Sequence, residues 1–192
     1  VTMPASTSQL PAWNDNLNDD YGGGYRWFNA QSLTPQFAFG FGLSFTTFSY
    51  SNLLITPSSA TMGQPVNVSA SVTNTGSRTG DEVVQLYLTK TYASLSMKEL
   101  KGFRRITLNP GETQTVAFTI TPEELYTYNE TVAKYEVQSG SFPVHVGGSS
   151  DNLPLSGTLV ISNATLKPDL RITKIWMVPP YPVRGDSVVF LA

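Results

Sequence analysis

The chain contains no cysteine and a single histidine, His145. Disulfides, thiolate nucleophiles and Cys-ligated zinc are thereby excluded, and so is a multi-histidine metal centre. No metal ligand set and no cofactor are expected. Charge is scarce: Asp, Glu, Lys and Arg make up 14% of the 192 residues, and the net charge is -2. With 12 Lys and Arg residues thinly spread, no basic face is available to release counterions, so nucleic acid is not an expected partner. No apolar run approaches the ~20 residues that a membrane-spanning helix requires. The strong helix formers Ala, Glu and Lys are sparse, whereas Ser, Thr, Gly and Pro are abundant. That balance points to an all-β majority.

The texture of the chain changes along its length. Residues 1–48 are rich in aromatics, Gly, Asn and Pro with little periodicity, 49–162 alternate steadily, and 163–192 open with a polar, Pro-containing joint before alternation resumes. In the middle stretch, Val66, Val68, Ala70 and Val72 share one face of VNVSASV while Asn67, Ser69 and Ser71 share the other. Val84, Leu86 and Leu88 repeat this pattern, as do Val116, Phe118 and Ile120, then Phe142, Val144 and Val146, and finally Leu159 and Ile161. Gly76 and Gly80 mark a turn, and so does Asn109-Pro110-Gly111. A short helical turn is expected at TPEELYTY, opened by Thr121 or Pro122 with Glu123 and Glu124 at its positive end. Short strands separated by turn signals predict a two-sheet β-sandwich of the Ig-like or fibronectin type III-like kind.

The first 48 residues hold Trp13, Tyr21, Tyr25, Trp27 and the run FAFGFGLSFTTF, with no repeating pattern that would bury them. Apolar surface of that size packs against another body. Val1 is preceded by neither Met nor a leader, so the chain reads as a piece of a longer one.

Several segments resemble, in order, the C-terminal part of glycoside hydrolase family 3 β-glucosidases: VTMPASTSQLPAW, YGGGYRWFNAQSLTPQFAFGFGLSFTTFSYSNL, VVQLYL, KELKGFRRITLNPGET and SGSFPVHVGGSS. The strongest are Gly24–Phe28, Phe39–Phe48 and Lys98–Phe103. The resemblance implies a three-part enzyme: a TIM-like barrel, an αβα sandwich, and a fibronectin type III-like domain. It also implies a nucleophilic Asp in the barrel and an acid/base Glu in the αβα domain. Residues 1–48 would then be the C-terminal segment of the αβα sandwich and its linker, and 49–162 the fibronectin type III-like domain. Both catalytic groups would lie upstream of this chain, which is expected to be inactive alone. Its expected partners are that upstream part and a β-glucoside or oligosaccharide substrate. The chain departs from the family pattern at Tyr21-Gly22-Gly23, where an acidic residue and Gly are common, and at Ser96-Met97, where Arg-Pro is common. Residues 163–192 resemble a linker and the start of an adhesion-type Ig-like module; two strands are not independently stable.

Candidate chemistry is limited. Retaining glycoside hydrolysis needs two carboxyl groups about 5–5.5 Å apart. The adjacent acids Asp19-Asp20, Asp81-Glu82 and Glu123-Glu124 would point apart on a strand or into solvent in a turn, so no catalytic residue is assigned here. Trp13, Tyr25 and Trp27 have the flat apolar faces that stack on a sugar ring, but they fit interdomain packing better, together with Arg26, Phe39 and Phe41. Arg26 would satisfy a neighbouring carboxylate or carbonyls. Gly40 and Gly42 would permit close backbone approach where two domains meet. Thr89–Met97 reads as a loop between strands, and its Tyr92 and Leu95 are the candidate substrate contacts. His145 reads as a solvated strand residue. Gly22-Gly23-Gly24 lacks the strand and Lys-Ser/Thr of a phosphate cradle. Asn67, Asn129 and Asn163 stand in N-x-Ser/Thr sequons. The absent cysteines and neutral polar composition fit a secreted or periplasmic bacterial protein. The rival reading is a self-standing carbohydrate-binding or adhesion β-module.

Overall fold

A computed structural model describes residues 24–92, 95–129 and 133–163. It is mainly β. One short helix, α1 (Tyr25–Ala30), precedes strands β1 (Phe48–Thr56), β2 (Ser59–Thr61), β3 (Val66–Asn74), β4 (Gly80–Tyr92), β5 (Leu95–Leu108) and β6 (Thr113–Ile120). A 3-10 turn over Pro122–Leu125 leads to β7 (Tyr126–Asn129), β8 (Lys134–Val137), β9 (Gly140–Gly147) and β10 (Leu155–Ser162). A three-stranded sheet, β1-β3-β6, faces a five-stranded sheet, β2-β10-β9-β4-β5, and β7-β8 form a separate hairpin.

The two inner faces meet in one core. Val66, Val68, Ala70 and Val72 of β3 and Val116, Phe118 and Ile120 of β6 pack against Val84, Leu86 and Leu88 of β4, Phe142, Val144 and Val146 of β9, and Leu159 and Ile161 of β10. These are the period-two positions expected from the sequence. Each fully buried aliphatic or Phe side chain contributes about 1.5–3 kcal/mol. The predicted helical turn exists, and the Glu124 carboxylate accepts from the Thr121 amide at 2.7 Å, as a capping residue does.

One expectation is corrected. Thr89–Met97 is not a loop: β4 runs to Tyr92, β5 starts at Leu95, and the register pairs Lys90 with Met97 and Tyr92 with Leu95. The alternation continues through this stretch, but its inward positions include Lys90, 3% exposed, opposite the fully buried Met97. A charge at an inward position hides a strand from hydrophobic patterning.

Asn74, at the end of β3, is the polar joint of the sandwich and is fully buried. Its Oδ1 accepts from Thr46 Oγ1 at 2.6 Å and from the Gly76 amide at 3.0 Å. Its Nδ2 donates to the carbonyls of Arg78 at 2.8 Å and Leu108 at 2.9 Å. One side chain thus ties the segment before β1, the β3–β4 turn and the end of β5. Asn74→Ala leaves buried donors and acceptors unpaired and is expected to cost about 2–4 kcal/mol, read from the urea unfolding midpoint. A change below about 0.5 kcal/mol would contradict this role.

Candidate functional site

β4 differs from the other core strands in being buried on both faces: Val84, Gln85, Leu86, Tyr87 and Leu88 are all buried in sequence. The inner residues belong to the core. The outer ones lie beneath an arm formed by residues 24–45. Tyr25 of α1 stacks on Phe39 with ring centroids 4.7 Å apart and meets Tyr87 edge-on at 5.9 Å. Such pairs are worth about 0.5–1.5 kcal/mol beyond their area. The Tyr25 hydroxyl accepts from the Leu100 amide of β5 at 2.8 Å, and burial pushes this phenol's pKa up.

Behind this stack, the Tyr87 hydroxyl donates to Gln85 Oε1 at 2.6 Å, and Gln85 Nε2 donates to the Gly148 carbonyl at 2.5 Å. Burial is the main cause that raises the Tyr87 pKa. Gly40, at φ +82°, lies so close that a Cβ there would overlap the Gln85 amide. The close approach expected at Gly40 is therefore against β4, whereas Gly42 has open space around it. The arm is also tied to the β9–β10 turn by a bond from the Ser150 amide to the Phe39 carbonyl at 2.9 Å.

The arm has a second, uncovered side. Phe28 and Ala38 are buried, but Phe37 and Phe41 are half-exposed with rings 5.5 Å apart. Leu43 and Phe45 are 93% and 92% exposed. The sequence places apolar residues along this run without distinguishing the two sides.

Arg26, also on α1, donates to Glu99 Oε1 of β5 at 3.0 Å, so the carboxylate foreseen for it is Glu99. Glu99 Oε2 is 2.7 Å from Lys101 Nζ and 3.5 Å from Lys90 Nζ. Lys90 also donates to the Tyr126 carbonyl at 2.9 Å. Desolvation is the largest influence on Lys90, followed by the charge of Lys101, and together they outweigh Glu99 and lower its pKa to about 8.

His145 is half-buried, not solvated. It faces away from the core as expected, on the face where Thr89 and Lys98 lie beside it. Its Nε2 lies 3.3 Å from Thr89 Oγ1, and burial first, then Lys98, lowers its pKa. Asp81 and Glu82 diverge. Exposed Asp81 accepts from Thr107 Oγ1 at 2.6 Å and from the Arg105 guanidinium, which hold its carboxyl below the usual range. Glu82 accepts from the Tyr50 hydroxyl at 2.7 Å. Glu123 and Glu124 sit on the 3-10 turn. None of these described acids is shown paired with another, and among the described residues no His, Cys, Asp and Glu group could hold a metal ion.

Tyr92 and Leu95 flank the tip of the β4–β5 hairpin, and Trp27 is on α1; their side chains, like Trp13, Asp19-Asp20 and the 164–192 tail, lie outside the described residues. Among the described residues no helix is long and apolar enough to cross a membrane.

Two facing sheets of three and five strands with a core shared between them form a sandwich whose residues 82–150 match the fibronectin type III-like domain family. A β-xylosidase of Formosa agariphila is 43% identical over 152 residues, covering 78% of this chain and 21% of the relative. Thermostable β-glucosidase B of Acetivibrio thermocellus is 38% identical over 152 residues, and a periplasmic β-glucosidase of Salmonella typhimurium is 41% identical over 164. Among solved structures, the β-D-glucoside glucohydrolase of Trichoderma reesei aligns over 84% of this chain and 26% of its own, with TM-score 0.73 and 30% identity. A GH3 β-glucosidase of Bifidobacterium adolescentis aligns over 83% and 25%, with TM-score 0.71 and 26% identity. The class is thus a fibronectin type III-like β-sandwich. Within that class, the chain is a homologue of glycoside hydrolase family 3 β-glucosidases, and it spans about a fifth of the length of the curated relatives it matches.

Lys90 yields a pH prediction. Its folded-state pKa of about 8 lies below its ordinary value of 10.5, so the unfolded chain binds more protons between these limits. This group therefore makes stability rise as pH climbs from about 8 to 10.5, and its contribution is least favourable at lower pH. Lys90→Met should remove that part of the rise, seen by comparing urea midpoints of both proteins across this window. Parallel pH profiles would contradict it.

Proposed function

We propose that this chain is the C-terminal structural portion of a retaining, exo-acting β-glucosidase that hydrolyses terminal β-D-glucosyl residues. Its catalytic Asp and Glu are supplied by an upstream TIM-like barrel and αβα domain. The reaction proceeds by double displacement through a covalent glycosyl-enzyme. Residues 1–48 complete the αβα layer and link it to the sandwich of 49–162, while 163–192 begin a further Ig-like module.

The observation that carries the reading is the two-sided arm. One side seals β4 through Tyr25 and Phe39; the other presents Phe37, Phe41, Leu43 and Phe45 outward. An exposed apolar run of this kind fits an interface with another folded body. In this reading Tyr25, Arg26 and Phe39 pack the arm against the sandwich, Phe41 with Trp13 and Trp27 belongs to the seam with the upstream part, and Tyr92 and Leu95, at the hairpin tip, are the substrate contacts. The periplasmic name of one relative supports export from the cytoplasm.

A second specificity is favoured by the β-xylosidase name of the Formosa relative. Comparing turnover of aryl β-glucoside and aryl β-xyloside by the complete enzyme separates the two.

The 192-residue chain alone should turn over neither substrate. Turnover that disappears on replacing an acid of this chain would overturn the placement of the catalytic pair. Phe41→Asp with Leu43→Asp should leave the β-sheet circular dichroism unchanged and weaken association with the upstream part at least about tenfold. Unchanged association would count against the seam.

A further inference from the structure

At the end of the sandwich where the β4–β5 hairpin outruns the core, three cations surround one carboxylate. Arg26, Lys90 and Lys101 all pair with Glu99, which is the one carboxylate ion-paired with them among the described residues. The side chains of Lys90, Lys101 and Glu99 are 3%, 12% and 12% exposed, so solvent does little to screen the imbalance. Arg26 Nε is buried without a hydrogen-bond acceptor. Unbalanced charge and an orphaned donor are both costly in a desolvated setting.

Beside Lys90 lies a cleft of about 150 Å³ lined also by Thr127, Gln138, Ser139, Gly140 and Ser141. Its rim supplies hydroxyl and amide groups, which are neutral donors for an oxyanion. The space exceeds that of a water molecule and suits a small planar anion.

We propose that this cleft is a carboxylate-binding site, in which an anion held by Lys90 and the Thr127, Ser139 and Ser141 rim adds a counter-charge beside the three cations that, among the described residues, share Glu99. Loss of the Lys90 proton is a poor alternative, since it would leave Arg26 and Lys101 still facing one carboxylate. The site suits a carboxylate better than a phosphate because the positive charge is only partly offset and Glu99 remains in the cluster to repel a dianion. The ligand chemistry admits two sources: a free carboxylic acid, or an Asp or Glu of the upstream polypeptide.

Acetate is the probe. With the 192-residue chain at constant ionic strength, replacing chloride by acetate should give a saturable shift of the Lys90 ε-carbon signal in NMR. The Lys90 pKa should move back toward its ordinary value. Lys90→Gln, followed through the backbone amide signals of Ser139 and Ser141, which line the cleft, should abolish saturable binding. Ser141→Ala, at an exposed position that leaves the core intact, should weaken it about threefold or more. If acetate gives no saturable shift, or if both variants bind it as the parent does, the site does not exist. The complete enzyme then assigns the source: loss of acetate binding there marks a polypeptide carboxylate in the cleft, and retained binding marks a free one.

Discussion

The outer face of β4 has to be covered. Tyr87 is fully buried and Gln85 nearly so, although both point away from the core of the sandwich. Their cover is the Tyr25–Phe39 stack, fixed by the Leu100-to-Tyr25 hydrogen bond and by the approach of Gly40 to Gln85. Without that layer, an aromatic ring and a side-chain amide committed to Gly148 would stand in water. The sandwich and the arm are therefore one structural unit, and the arm is fixed well enough to hold a second apolar face outward.

That second face gives the family relationship a physical content. A domain whose only task was its own stability would have no use for Leu43 and Phe45 at more than nine-tenths exposure. The ionic cluster around Glu99 makes a parallel case in charge. It joins α1 to β5 through Arg26 and, among the described residues, sets three cations around one carboxylate.

Most of the sandwich was legible in the sequence because β3, β6, β9 and β10 each bury one face, and period two records that. The unread parts have specific causes. β1 carries a register shift between Ser51 and Leu54, beside Asn52 at φ +54°, which breaks the phase of its alternation. β2, at three residues, is too short to leave a pattern. Only the distal part of the β4–β5 hairpin, Thr89–Met97, reads as a loop in the sequence, because Lys90 occupies an inward position there. His145 was misread because its cover comes from segments remote in sequence. For the site, Arg26's partnership with a carboxylate followed from guanidinium chemistry, but the choice of Glu99 over the other acids depended on a register no local pattern contains. The division of the aromatic arm into a side facing β4 and a side facing away is likewise a property of the packed chain.

The central claim is that the outward side of the arm is half of an interface. Hydroxyl-radical footprinting of Phe37, Phe41, Leu43 and Phe45 tests it most directly, with the free chain compared with the complete enzyme. The account predicts ready oxidation of all four in the free chain and strong protection in the enzyme, with Tyr87 protected in both. Equal oxidation of the four in both states would contradict it.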